Sequence, residues 1–453
     1  MTRLTTRDLG LVAVATALWC GVLLFLPSEM SPDGWYAFLG GDVVVHHGLP
    51  SHDALTVWGH GRRWVDQQWL AQVTYYGLYA LGGLRLALIV NAAIVVGTFM
   101  AASLLARPRN LYVAVVGAVA LGVSSSALRP QTLVLPLFVA LTWLLAADAR
   151  SPSRRVFWAI PLLVLWANLH GSVTLGVLLV LIAVAADAWP RRAPTPRTAL
   201  LSVLAVASLF ASPYAAHLPG YYRTVLFNGE FAKYLPDWMP TALSAGTLAF
   251  YLLAFGAVFA LARAPRSFTL FENAALVVLL VLAVEATRGI TWFTLFALVV
   301  LPSALPQTSP ELPRRTFLVA KVIAVIALVV TASRPGSWFA RDYPTPAARV
   351  VAGAAGANQT VFANGAFSDW LLLKAPSLRG RIAYDARFEV LPDGRLADAA
   401  AVSIGRYDAQ QILRSFDVVV LRPEEDELRD TLERAGGWRR IDAGSKVVVF
   451  RRT

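Results

Sequence analysis

Ser31-Pro-Asp-Gly-Trp-Tyr36, Gly41-Asp-Val-Val-Val-His-His-Gly-Leu-Pro50, Ser51-His-Asp-Ala-Leu-Thr56 and Gly61-Arg-Arg-Trp-Val-Asp-Gln-Gln-Trp-Leu70 follow one another between two long apolar segments. The run carries Asp33, Asp42, Asp53 and Asp66, the histidines His46, His47, His52 and His60, and Trp35, Trp58, Trp64 and Trp69. A bare connector between two membrane helices needs only a few residues. A polar, aromatic loop spanning 28–83 is therefore read as a working part of the protein.

Outside it the chain is greasy. Of 453 residues, 57% are hydrophobic and 15% charged, against roughly a quarter charged in water-soluble proteins. With a mean hydropathy of +0.57, the chain reads as an integral membrane protein. Its net charge of +12 does not indicate nucleic-acid binding, because the basic residues fall in short clusters between apolar segments. Cys20, the one cysteine, lies inside the first apolar segment, so an internal disulfide is excluded. That segment follows Arg3 and Arg7 and lacks a small-x-small cleavage pattern, which makes it an uncleaved first helix.

A helix needs about 20 mainly apolar residues to cross the hydrocarbon layer. Candidate spans lie at Leu9–Leu26, Leu84–Leu105, Leu111–Ser126, Gln131–Ala147, Val156–Leu169 and Ser172–Ala188. Ala199–Ala211, Thr241–Arg263, Glu272–Arg288, Ile290–Leu305 and Phe317–Ser333 bring the total to about eleven. With a cytoplasmic N-terminus, the clusters at Arg107/Arg109, Arg150/Arg154/Arg155, Arg191/Arg192/Arg197, Arg263/Arg266 and Arg314/Arg315 all fall inside. This requires Gln68–Leu81, with Trp69, Tyr75, Tyr76 and Tyr79, to lie along the membrane surface. The loop 28–83, a second loop at 212–240, and the turns at Leu128–Pro130, His170–Gly171 and Arg288–Gly289 then all face outward.

Residues 1–336 thus read as a transmembrane domain. Residues 337–453 have ordinary soluble composition, enough for one small outer domain. Strand-like runs at Thr360–Ala363, Ile382–Asp385, Asp417–Leu421 and Lys446–Phe450 alternate with helical patterns at Ala347–Ala355, Asp408–Phe416 and Glu424–Ala435, which predicts a small α/β fold.

The chemistry-bearing residues cluster on the expected outer side. Asp33 directly follows the first span, where a carboxylate can take a proton from an acceptor hydroxyl or hold a divalent cation; Pro-Asp-Gly is equally an ordinary turn. Asp42 and Asp53 are further polar candidates, although Asp53 can simply cap a turn. The four loop histidines have no zinc-ligand spacing. Arg129, opening Arg-Pro-Gln131, and Arg288 are placed to grip a phosphate with their forked donors, or to snorkel to lipid headgroups. Glu285 lies one turn before Arg288, a costly position in a span unless the two form an i,i+3 pair. Asn168 and His170 reach the outer face in Trp166-Ala-Asn-Leu-His-Gly171, and Tyr214 does so in Ser212-Pro-Tyr214.

One helix, a long outer loop opening with an aspartate, a surface helix, many spans and an outer soluble domain together resemble the GT-C superfamily of polyprenyl-phosphate-sugar-dependent glycosyltransferases. The resemblance rests on Asp33-Gly-Trp35, Gly48-Leu-Pro-Ser-His-Asp53, Gly61–Leu70, Arg129-Pro-Gln131, Trp166–Gly171, Ser212–Tyr214, Asn364-Gly-Ala-Phe367 and Tyr384-Asp-Ala-Arg387. It implies an inverting hexosyl or pentosyl transferase of the plasma membrane. The donor would be a polyprenyl-phosphate sugar and the acceptor an envelope glycan, lipid or protein. Asp33 stands in the place of the family's catalytic aspartate, and Arg129 or Arg288 would hold the lipid phosphate. The acidic pair common in related first loops is absent, since Gly34 follows Asp33, and Asp66-Gln-Gln-Trp-Leu70 replaces the family's His-Pro-Pro-Leu-like stretch. These departures keep open a non-catalytic reading, a scaffold or lipid-linked-glycan-binding subunit of envelope polysaccharide assembly. A transporter fits less well, because it would show broken helices and midplane charges.

Overall fold

The computed structural model describes residues 6–25, 30–106, 108, 110–305, 313–403 and 409–453. Arg3, Arg107 and Arg109, used above for orientation, lie outside the described residues. The chain divides into two compact units.

The first unit comprises the N-terminal helix Thr6–Phe25, residues Leu86–Ala216 and residues Leu235–Arg334. A helix forms in each of the eleven expected stretches. Among the described residues, Trp69–Leu105, Pro130–Arg150, Val173–Arg191 and Thr287–Ala304 are long and apolar enough to cross a membrane. Gly10–Leu24, Leu111–Ser125, Pro196–Ser208, Leu248–Arg263 and Leu318–Ser333 are shorter apolar helices. Ile290–Val300 is the axis of the unit. All of its residues are buried, and it packs against Leu111–Ser125, Leu135–Arg150 and Leu270–Glu285. At Gly117 a Cβ would come within 2.6 Å of Leu298 Cδ2, so a larger residue there would force the Leu298 side chain to shift. Hydroxyl and amide groups add polar links, with Ser125 Oγ 2.8 Å from Thr291 Oγ1 and Asn91 donating to the Ser126 carbonyl at 3.1 Å. The outward faces stay apolar: Leu318 is 64% exposed and Phe255 72%. Aqueous solvent would penalise such surfaces and lipid does not, so this is a multi-pass membrane protein.

Trp69–Leu105 changes character at Gly82 and Gly83. Gly83 has φ 66° and ψ −167°, which strains any residue with a Cβ, so the helix breaks there. The part before the break belongs to the second unit.

The second unit comprises Met30–Arg85, His217–Tyr234 and Pro335–Thr453. Its first helix, Pro32–His47, is capped by Ser31, whose Oγ accepts from the Gly34 N–H at 3.3 Å. Pro32 at the first helical position needs no N–H partner. The helix packs against Gly365–Lys374. Four strands, β1 (Val361–Ala363), β2 (Val418–Leu421), β3 (Trp438–Asp442) and β4 (Val448–Arg452), form a sheet in the order β1-β2-β4-β3. β1 and β2 pair in parallel and the other pairs are antiparallel. Ile382, expected to open a strand, makes only isolated bridges, to Val361 and to Thr56 of the loop. β3, Trp-Arg-Arg-Ile-Asp, carries no strand pattern in sequence; it is an edge strand, and its charges face solvent. Trp58 lies flat on Tyr384, ring centroids 5.4 Å apart, against a core of Phe362, Phe416 and Phe450. The loop therefore shares the hydrophobic core of the sheet.

Candidate active site

In the first unit, three expected residues come together. Arg129 precedes the Pro130–Val134 turn, and its guanidinium donates to the Asp237 carboxylate. Arg288, in the Thr287–Gly289 turn, lies over the Trp238 ring at 4.1 Å. Asp237 and Trp238 belong to one short turn, Pro236–Trp238, so adjacent residues hold both arginines. His170 closes the helix Ala159–Leu169, and its backbone N–H donates to the Trp166 carbonyl at 2.9 Å. The Ser172 N–H donates to His170 Nδ1 at 3.1 Å, which leaves the proton of the neutral ring on Nε2. Burial, followed by the positive charges of Arg288 and Arg129, pushes the His170 pKa down to about 3. The imidazole is therefore neutral at ordinary pH and beside two guanidinium groups, an environment suited to a phosphate.

The other first-unit candidates differ in kind. Asn168 donates to the carbonyls of Val164 (2.9 Å) and Ala211 (2.6 Å), tying two chain segments together. Tyr214 is buried, and Gln131 is half-buried in the turn after Arg129. Glu285 is exposed as the last residue of Leu270–Glu285. At Ala286 the backbone becomes extended (φ −148°, ψ 128°), so the helical i,i+3 relation to Arg288 does not continue.

The second unit holds the acidic candidates. Asp33 is half-buried in the first turn of Pro32–His47, where the helix dipole favours a negative charge. Asp42 pairs with Arg379 at 2.6 Å and with His46 at 3.2 Å. Asp53 is almost fully enclosed and accepts from the Leu55 N–H at 2.9 Å, Thr56 Oγ1 at 2.5 Å and Arg387 Nη2 at 2.7 Å. Arg387 also donates to Asp385 and stacks on Trp64 at 4.1 Å. Asp42 and Asp53 thus have protein counter-charges, Arg379 and Arg387.

Around Arg387 stand further carboxyls. Burial raises Asp66 to about 7 despite Arg387 and the Gln72 amide, which donates to it at 2.8 Å. Burial also raises Glu389 to about 7, with Asp385 and Asp33 adding to the shift. Asp369 is pushed well above the usual range by burial first and by Asp385 next, with a smaller contribution from Asp33. Asp33 therefore lies within electrostatic reach of Asp369 and Glu389. Asp66 belongs to the polar loop and Asp385 to the Tyr384–Arg387 motif, whereas Asp369 and Glu389 match no motif in the sequence. The visible signal was Tyr384-Asp-Ala-Arg-Phe-Glu389, charges set in an apolar stretch. The loop histidines His46, His47, His52 and His60 are exposed. Among the described residues, no three His, Cys, Asp or Glu side chains are arranged to hold a metal ion.

The fold is similar to that of solved oligosaccharyltransferases. The archaeal oligosaccharyltransferase AglB of Archaeoglobus fulgidus, in complex with an inhibitory peptide and a dolichol-phosphate, matches with a TM-score of 0.55 at 11% identity, over 92% of this chain and 69% of its own. The A. fulgidus oligosaccharyltransferase tethered to an acceptor peptide containing the NVT sequon gives 0.52 at 10% identity, over 98% and 74%. ArnT from Cupriavidus metallidurans bound to undecaprenyl phosphate gives 0.48 at 15% identity, over 97% of each chain. No protein-family model matches the sequence, and no curated protein matches it. At these identities the likeness is one of fold.

Proposed function

We propose that this protein transfers a sugar from a polyprenyl-phosphate carrier to an acceptor of the cell envelope, at the outer face of the plasma membrane. The supporting observation is the pair of guanidinium groups, Arg129 and Arg288, flanking neutral His170 on a fold shared with an enzyme solved with dolichol-phosphate. An acceptor hydroxyl attacks the anomeric carbon, the bond from that carbon to the phosphate oxygen breaks, and the configuration inverts. The electron pair stays on the departing polyprenyl phosphate, where Arg129, Arg288 and His170 Nε2–H stabilise it. The hydroxyl proton goes to a carboxylate base, for which Asp33 is the candidate. The N-terminus is cytoplasmic and the sheet-bearing segment outside, following the positive-inside distribution of the arginines.

The test is transfer by purified protein in nanodiscs with a panel of polyprenyl-phosphate hexoses and pentoses. Asp33→Asn should lower the rate at least about 100-fold; an unchanged rate removes Asp33 as the base. A second reading, a non-catalytic lipid-linked-glycan scaffold, draws on the Asp237 carboxylate already engaging Arg129. Donor binding without transfer by wild type across the panel would select it.

A further inference from the structure

The Pro236–Trp238 turn treats its two arginines differently. Proline fixes the dihedral at its start, and the Trp238 and Met239 N–H groups donate to the Leu235 (2.9 Å) and Pro236 (3.3 Å) carbonyls, so Asp237 and Trp238 leave one tight turn side by side. Trp238 meets the face of the Arg288 guanidinium, a contact that spends none of its N–H donors. Asp237 instead takes an Nη2 donor of Arg129 in a charge-assisted bond. A phosphate arriving here would find Arg288 oriented and Arg129 engaged.

The two contacts also differ in how firmly they are held. Beyond the turn, the Met239 carbonyl accepts from the Thr287 N–H at 3.1 Å and from Thr287 Oγ1 at 3.2 Å. Thr241 donates to the carbonyls of Ala283 at 2.6 Å and Val284 at 2.9 Å. These bonds fasten the chain after Trp238 to the segment that leads into Arg288. The Asp237 carboxylate has one partner among the described residues, Arg129, and is 45% exposed. Water can receive it at little cost. To a guanidinium, a carboxylate and a phosphate present the same pair of oxygens, so Asp237 is a chemical stand-in for phosphate on Arg129.

We propose that Asp237 is a built-in competitor for the donor phosphate. Its carboxylate occupies Arg129 until the phosphate of a polyprenyl-phosphate lipid displaces it into solvent, while Arg288 stays oriented on Trp238; this rests on Arg129 being a phosphate ligand, as proposed above. Donor affinity is thereby set below what the free guanidinium would give. Only an anionic headgroup can take Arg129 from a carboxylate, so the contact also selects against neutral lipids. Release of the spent polyprenyl phosphate runs the exchange in reverse.

Binding of a polyprenyl phosphate carrying no sugar, to the full-length protein in nanodiscs, measures this exchange without requiring transfer. Asp237→Asn keeps the size of the side chain and should tighten binding about fivefold, the scale of a partly exposed ion pair. The matching polyprenol, which has no phosphate, should bind wild type and Asp237→Asn equally. In an Arg129→Gln background, Asp237→Asn should change nothing, because the competition runs through that guanidinium. Unchanged or weaker phosphate binding by Asp237→Asn, the result for a carboxylate that merely positions Arg129, overturns the proposal. So does a tightening that persists with Arg129→Gln, which marks a general effect of charge. Wild type that binds phosphate and polyprenol alike removes the phosphate site itself, and the proposed donor with it. The fivefold effect without any sugar transfer would sink the transferase reading and leave the exchange standing.

Discussion

Arg387 Nη2 donates to Asp53 at 2.7 Å across 334 positions of sequence, with both side chains almost fully enclosed. The same guanidinium bonds Asp385 and lies on Trp64, so one residue joins the loop to the sheet-bearing segment of its unit. Removing it leaves two carboxylates buried without a counter-charge, which costs roughly 3–5 kcal/mol. Arg387→Met should lower the melting temperature by several degrees and open Ser51–Trp64 to protease. Arg387→Lys should recover only part of this, because an ammonium cannot fork between Asp53 and Asp385. A melt unchanged in both variants would show the pairing to be dispensable.

The raised pKa of Asp66, about 7, fixes the direction of a pH effect. The native state holds the proton through a range in which the unfolded chain has already lost it. The stability present below the ordinary aspartate value is therefore lost as pH rises through about 7. Asp66→Asn keeps an acceptor for Gln72 and removes the titration. The melting temperature of the variant minus that of wild type should grow from pH 5 to pH 8; a constant difference would contradict the assignment.

His170 shifts the other way, to about 3. Below about 6.5 the unfolded chain takes up a proton that the native ring refuses, so this residue withdraws stability as pH falls from there toward about 3. Imidazole resonances of ¹⁵N-histidine-labelled protein should place His170 in the Nε2–H tautomer, unchanged between pH 5 and 8. A titration near pH 6.5 would remove it as a neutral donor to phosphate.

Arg288 is positioned by its turn as well as by Trp238. A Cβ at Gly289 would fall 2.5 Å from the Leu282 carbonyl oxygen and 2.6 Å from Ala283 Cα, so Gly289→Ala must displace the turn. If Arg288 holds the donor phosphate, Gly289→Ala and Arg288→Lys should both raise the donor KM about tenfold, and Trp238→Leu by less. Wild-type KM in all three would remove Arg288 from the donor site.

The sequence displayed features that depend on local chemistry. The start of the helix at Ser31-Pro-Asp needs only a cap, a proline and an acidic first turn, all adjacent in the chain. Apolar runs long enough for helices showed in the same way, as did the break at Gly82–Gly83 that separates the expected surface helix from the span after it. The sequence supports placing Arg129, His170 and Arg288 together around a phosphate, because all three fall at turns on one expected side of the membrane; the turn at Asp237 and Trp238 that holds both arginines has no such signal. A helix carried one turn further would set Glu285 against Arg288, but the backbone becomes extended at Ala286.

Which charges neutralise which was decided by tertiary structure alone. Asp33, Asp42 and Asp53 look alike in sequence, three aspartates in one polar loop. Folding gives Asp42 to Arg379 and Asp53 to Arg387, both more than 300 positions away, and sets Asp33 beside carboxyls that burial keeps protonated toward neutral pH. The local pattern determines where helices begin and how far they run, since those terms act between near neighbours. The state of a buried carboxyl depends on the solvent it loses and the cation it meets, and both are fixed by contacts between distant parts of the chain.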